Sequence, residues 1–168
     1  MLEVVRFDSP LGRMVAVGSN ASLRGLYFAG QRHLPDLSGL PAQGRSLLLH
    51  RVRKQLDEYF EGRRQSFDLP LEHEGTPLQQ AVWLALASIP FGETLSYSAL
   101  AQQVGRPRAV RAVAQAVGRN PWLIVRPCHR VLGSGGALTG FAAGLERKGA
   151  LLAHEARTLS RPARSGQP

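Results

Sequence analysis

A chain with one cysteine cannot staple itself. Cys128 is the single thiol in 168 residues, so neither an internal disulfide nor a multi-thiolate metal site can hold the fold together. The structure must rest on buried apolar surface. A hydrophobic content of 43% suffices for one domain, or for two small ones sharing an interface. The thiol itself is left with two roles, a buried structural group or a reactive nucleophile. Pro127 restricts the backbone before it and His129 follows it directly. A thiol becomes a useful nucleophile when a neighbouring base or cation raises its thiolate fraction. No apolar run approaches the roughly 20 residues of a membrane span. The N-terminus reads Met-Leu-Glu rather than as a secretory leader. A lone thiol suits a reducing compartment, so a cytoplasmic location is expected.

The net charge of +9 is unevenly spread. Residues 1–75 hold ten basic and nine acidic side chains, whereas residues 76–168 hold eleven and three. Between Thr94 and Arg130 there are six arginines and no acid. An Arg-rich composition, nineteen Arg against two Lys, explains the choice of cation but not the missing carboxylates. Such a face attracts a phosphate backbone.

Patterning divides the chain near Gly75. Residues 2–8, 13–19 and 22–28 are short, rich in β-branched and aromatic residues, and separated by turn signals, which predicts an antiparallel meander. Residues 30–44 read as a loop. Leu48, Val52, Leu56 and Tyr59-Phe60 recur at helical spacing over 45–60, and 66–71 reads as a further strand. Thr76-Pro77-Leu78-Gln79 has the form of a capping box with proline in the first turn, and predicts a helix to about Ser88. Two short helices follow, 97–104 after a Ser96 cap and 107–117 starting at Pro107. Helix, Gly-containing turn and helix fit a helix-turn-helix, and equally an ordinary αα-hairpin; the arginines of the second helix favour DNA. Residues 122–126 read as a strand leading into Cys128, 133–136 as a turn, 139–144 as a loop and 145–156 as a last helix. Lys148 and Glu155 are two turns apart on it and share a face. The tail from Thr158 reads as disordered.

The motifs come in a specific order. Ile-Pro-Phe-Gly-Glu-Thr-Leu-Ser-Tyr ends at Tyr97; Arg111-Ala112-Val113 and Arg119-Asn120-Pro121 follow. Then come Pro-Cys-His-Arg-Val at 127–131, Leu-Thr-Gly-Phe at 138–141 and Leu-Leu-Ala-His-Glu at 151–155. The set closely resembles the O6-alkylguanine-DNA alkyltransferases, over residues 76–158 most strongly. The resemblance implies an α/β N-terminal domain (1–75) of ribonuclease H-like fold, antiparallel strands plus a helix. A mainly α C-terminal domain (76–158) with a winged-helix-like helix-turn-helix would follow, then a disordered tail (159–168). It implies irreversible, stoichiometric SN2 transfer of the O6-alkyl group of guanine in double-stranded DNA to Cys128, with O4-methylthymine a further candidate. His129 would be the base, acting through a bound water, and Glu155 would orient it. Tyr97 would hydrogen-bond the extruded guanine at N3, and Lys148 is grouped with these catalytic residues. Arg111 would fill the gap left by the extruded nucleotide. Ala109, Ala112 and Ala114 would let the second helix approach the minor groove, although helix propensity alone also accounts for them. Asn120 would tie that helix to the cysteine segment, and Asn-Pro is also a common turn start. Arg130, Val131, Ala142 and Ala143 complete the expected substrate-side set.

Departures from the family pattern are Arg126 before Pro127, where an apolar residue is usual, Ala142-Ala143 in the pocket loop, and Gln115 on the second helix. Residues 1–75 contain no cysteine, and His33, His50 and His73 are scattered, so no metal and no cofactor are expected. A monomer is expected. A lesion-recognition relative would lack the cysteine. A cysteine hydrolase would leave the basic helices unexplained, and a transcription factor would leave Pro-Cys-His-Arg unexplained.

Overall fold

In the computed structural model, which describes residues 1–41 and 44–161, three antiparallel strands open the chain. They are β1 (Glu3–Ser9), β2 (Gly12–Gly18) and β3 (Leu23–Phe28), in the order β1-β2-β3. Ser9 sets the first turn: its hydroxyl donates to Gly12 O at 2.6 Å and accepts from Leu11 N at 3.2 Å. Alternation assigns the faces. Val5, Phe7, Met14, Ala16, Leu26 and Phe28 point into the main core. Val4, Val15, Val17 and Tyr27 form a second cluster, covered by Leu34, Leu37 and Leu40 of the loop after β3.

Helix α1 (Leu47–Phe60) lies on the core face. Ser46 caps it, accepting from Leu49 N at 3.2 Å, and Leu49, Val52, Leu56 and Tyr59 form its buried stripe. The strand expected at 66–71 is absent; only Leu71 makes an isolated bridge to Leu23. Pro70 O accepts from Leu23 N, so this segment meets β3 at one point instead of along a ladder.

The capping box at Thr76 and Gln79 starts α2 (Pro77–Leu86) as expected. Helices α3 (Tyr97–Gln103) and α4 (Val110–Gly118) pack against each other and α2. Helix α4 begins three residues later than Pro107 suggests. Pro107 and Arg108 form a turn, closed by Ala109 N donating to Arg106 O, and Ala109 gives no side-chain cap. Strands β4 (Leu95–Ser96) and β5 (Val131–Leu132) form a parallel pair beneath α3. Helix α5 (Leu145–Ser160) runs beyond the expected end at Ala156, so residues 158–160 are helical. The rest of the expected tail, residues 162–168, lies outside the described residues.

The two halves share one core. Trp83 of α2 and Trp122 meet edge to face at 5.7 Å, and both belong to the cluster that lines the sheet. Trp122 Nε1 donates to Leu23 O, Leu26 N to Pro121 O, and Leu123 N to Leu26 O. The segment before Cys128 is thus sewn onto β3.

Candidate active site

The expected strand at 122–126 is instead a turn. Asn120, fully inside, holds it: Oδ1 accepts from Trp122 N at 3.1 Å, and Nδ2 donates to Trp122 O at 3.3 Å and Arg126 O at 2.8 Å. Ile124 occupies the left-handed region (φ 70°). A β-branched residue rarely tolerates this region, and only the surrounding bonds keep it there. The turn delivers Cys128 to the start of a short 3-10 segment, Cys128–Arg130. The thiol is buried, and burial pushes its pKa up to about 11; a hydrogen bond from Asn120 and the charge of Lys148 pull the other way. At neutral pH it therefore rests as a thiol, and its proton must leave for it to attack.

Glu155 is the hub of the site. It is fully buried on α5. Oε1 accepts from Gly92 N (3.0 Å) and Arg130 Nε (2.9 Å). Oε2 accepts from Tyr59 Oη (2.7 Å) and Arg130 Nη2 (3.0 Å), and lies 2.7 Å from His129 Nε2. Burial alone would raise this carboxyl, but the hydrogen bonds and charges of His129 and Arg130 outweigh it and hold the group well below the usual carboxylate range. His129 goes the other way: burial lowers its pKa against the pull of Glu155, with Arg130 and Lys148 adding to the lowering. An ionised carboxylate only accepts, so the neutral imidazole donates from Nε2 and its basic lone pair is on Nδ1. Nδ1 is buried and makes no hydrogen bond among the described residues.

Two turns earlier on α5, Lys148 is also fully buried. Its ammonium donates to Thr139 O at 2.6 Å and Gly140 O at 3.0 Å. Tyr97 Oη donates to Thr139 O at 3.1 Å and stands 3.5 Å from Lys148 Nζ. Burial lowers the Lys148 pKa to about 8, opposed by Cys128. Burial and then Cys128 raise that of Tyr97. Lys148 and Tyr97 thus pin the glycine-containing loop 139–143 from below.

Above this loop opens a cleft of about 720 Å³. One wall is α4, with Arg111, Ala112, Ala114 and Gln115; the other is Gly140, Phe141 and Ala142. Arg111 is exposed, and its side chain makes no hydrogen bond or ion pair among the described residues. Ala109 sits half-buried at the start of α4, outside the lining. Val131 is buried opposite Leu95, and buried Ala143 accepts from Arg147 at its carbonyl.

Arg130 is a correction. Expected on the substrate side, it is 5% exposed, donates to Ile89 O, and spends its fork on Glu155. Its charge balances the buried carboxylate, so it faces the relay and not the cleft. Arg126 is half-buried in a separate pocket with Phe67 and Phe91, its Nε without a partner among the described residues. Four residues were given no role by the motif reading. Tyr59 looked like a core residue at helical spacing. Gly92 acts through its backbone, and the two residues after Gln31 reach the cleft only through the fold.

Family models match both halves of the chain. The ribonuclease-like domain of 6-O-methylguanine DNA methyltransferase covers residues 6–73, and the DNA-binding domain of the same family covers residues 77–157. The chain belongs to the 6-O-methylguanine DNA methyltransferase family. It is 43% identical over 157 residues to the methylated-DNA–protein-cysteine methyltransferase of Mycolicibacterium paratuberculosis, covering 94% of each chain. It is 42% identical over 152 residues to that of Methanosarcina barkeri, covering 90% of this chain and 96% of the relative. The crystal structure of Mycobacterium tuberculosis O6-methylguanine methyltransferase superposes with a TM-score of 0.88 at 40% identity, over 98% of this chain and 97% of that one. The Mycobacterium tuberculosis protein in complex with DNA superposes at 0.84, again at 40% identity, over 94% and 93%.

Proposed function

We propose that this chain repairs DNA by direct reversal, moving the alkyl group of O6-alkylguanine irreversibly to Cys128. The observation that carries this reading is the buried Cys128-His129 pair with His129 on Glu155, in a molecule whose arginine-lined cleft is bordered by Tyr97 and the pocket loop. In the reaction the alkyl carbon forms a bond to Sγ as its bond to O6 breaks. The thiol proton goes to His129 Nδ1, in the family by way of a water, and the departing guanine takes a proton on its own ring. Glu155 holds the imidazole in the tautomer that leaves Nδ1 basic and stabilises the imidazolium. We assign the proton taken by the guanine to the Tyr97 hydroxyl, supported by Lys148 Nζ, which lies 3.5 Å from it. The product is a thioether, a poor leaving group, so each molecule acts once.

The target base is inside the duplex, and extruding it costs a few kcal/mol, least for a damaged pair. Helix α4 carries Ala112 for close approach, with Ala109 at its N-cap, and Arg111 for the gap. Asn120 ties the end of that helix to the cysteine turn, linking DNA position to the nucleophile. We divide the chain near residue 75 into a ribonuclease-like half and a DNA-binding, alkyl-accepting half. We infer a cytoplasmic monomer, since the acceptor thiol must stay reduced; no helix among the described residues is long and apolar enough to cross a membrane.

A single-turnover reaction with a duplex holding one O6-methylguanine, followed by peptide mass spectrometry, tests the reading. The expected result is one methylene added to the Cys128 peptide, saturating at one per protein. Lesion binding without that gain would leave a recognition protein with an idle thiol and overturn it.

A further inference from the structure

The cleft above loop 139–143 has a third wall that the motifs do not predict. Arg32 and His33, from the loop after β3, line it together with Arg111 and Arg119. Among the described residues no carboxylate is in that lining. Exposed Arg32, like Arg6, makes no ion pair or side-chain hydrogen bond among the described residues, but unlike Arg6 it lines the cleft. His33 holds a left-handed backbone (φ 61°), uncommon for a residue with a side chain.

The loop is fastened on both sides of these two residues. Gln31 Oε1 accepts from Phe28 N at 2.8 Å, and Arg32 N donates to Ala142 O at 3.0 Å. Beyond them Leu34, Leu37 and Leu40 clamp onto the outer face of the sheet. The side chains are therefore presented from an ordered support, which lowers the entropy lost on binding. The backbone bond to Ala142 O sets Arg32 directly over the pocket loop.

We propose that Arg32 and His33 form a second phosphate contact of the DNA interface, supplied by the N-terminal half across the cleft from Arg111. This rests on the DNA-binding reading above. The duplex seated on α4 then meets cations on both walls, and its backbone is gripped beside the extruded nucleotide. The contact is electrostatic and indifferent to sequence, as phosphate contacts are.

The salt dependence of binding tests it, using fluorescence anisotropy with a lesion-free duplex. Neutralising one phosphate contributes about 0.9 to the slope of log K against log salt. Arg32→Ala should make the slope shallower by about 0.9, and Arg32→Lys should restore it. Arg6→Ala, which removes an exposed arginine on the far edge strand, is the charge-matched control and should leave the slope at the wild-type value. His33→Ala should weaken binding several-fold. A wild-type protein that shows no salt-dependent duplex binding would sink the DNA reading itself. A steep wild-type slope unchanged in Arg32→Ala would overturn only the second contact. Equal losses in Arg32→Ala and Arg6→Ala would also overturn it, as a plain effect of net charge.

Discussion

Helix α5 carries two buried charges two turns apart, and they are held in opposite ways. Glu155 is gripped by five donors from four residues, drawn from α1, the segment before β4 and the cysteine turn. Lys148 is held by carbonyls of an exposed, glycine-containing loop and by one tyrosine. The first node is closed and over-determined; the second is closed only as long as the loop stays down. The proton relay is thus built into the rigid core, and the surface that meets the substrate is left adjustable.

Breaking the rigid node should cost most. Glu155→Gln keeps the volume but strands the charge of Arg130, and removing one partner of a buried pair typically costs about 3–5 kcal/mol. The variant should also change the acid flank. The Glu155 pKa is depressed on folding, so its contribution is fully present above the ordinary value of 4.5 and is lost as pH falls toward the folded value. Below that pH wild-type stability should decline by up to about 1.4 kcal/mol per pH unit from this group, a component missing in Glu155→Gln. Denaturant unfolding of both proteins as a function of pH checks this. A variant within about 1 kcal/mol of wild type, with an unchanged acid flank, would mean that the node is not the rigid one.

Tyr59→Phe should come next. It deletes one hydrogen bond to an ionised group, worth about 1.5–3 kcal/mol, and leaves the ring packing in place. Single-turnover transfer should slow as well, because the deleted donor touches the same oxygen as His129. Lost stability with an unchanged transfer rate would reduce Tyr59 to a core residue.

Lys148→Met should have the smallest effect on stability, under about 1 kcal/mol, since water can reach the freed loop carbonyls. Its transfer rate should still fall by roughly tenfold or more, as expected on losing a positioned donor. A stability loss matching that of Glu155→Gln would erase the contrast between the nodes.

Local chemistry explains what was legible in the sequence. The meander, the Ser46 cap and the Thr76 capping box depend on residues within a few positions of one another. Where long-range bonds decide, the reading failed. Apolar Trp122 to Val125 has strand composition, yet the Asn120 side chain folds it into a turn. Pro107 is a good helix starter, but the backbone bond of Ala109 to Arg106 O delays α4. Cys128, His129 and Glu155 were legible because a motif carries them. Tyr59 and Arg32 were not, because their partners lie 96 and 110 positions away in the chain. Arg130 was misread for a related reason: an arginine in a DNA-facing motif looks like a phosphate ligand until its carboxylate appears.

The hydroxyl of Tyr59 has a consequence for modularity. The halves look separable, one bearing the nucleophile and most of the helices, the other a small sheet with α1. Yet the carboxylate that orients the base borrows one of its donors from the first half. A fragment cut near Gly75 would inherit the acceptor and the arginine face but with an incompletely held carboxylate. The N-terminal half is therefore no passive appendage to be traded freely between proteins, and any graft or split of this chain has to carry a tyrosine hydroxyl across the junction.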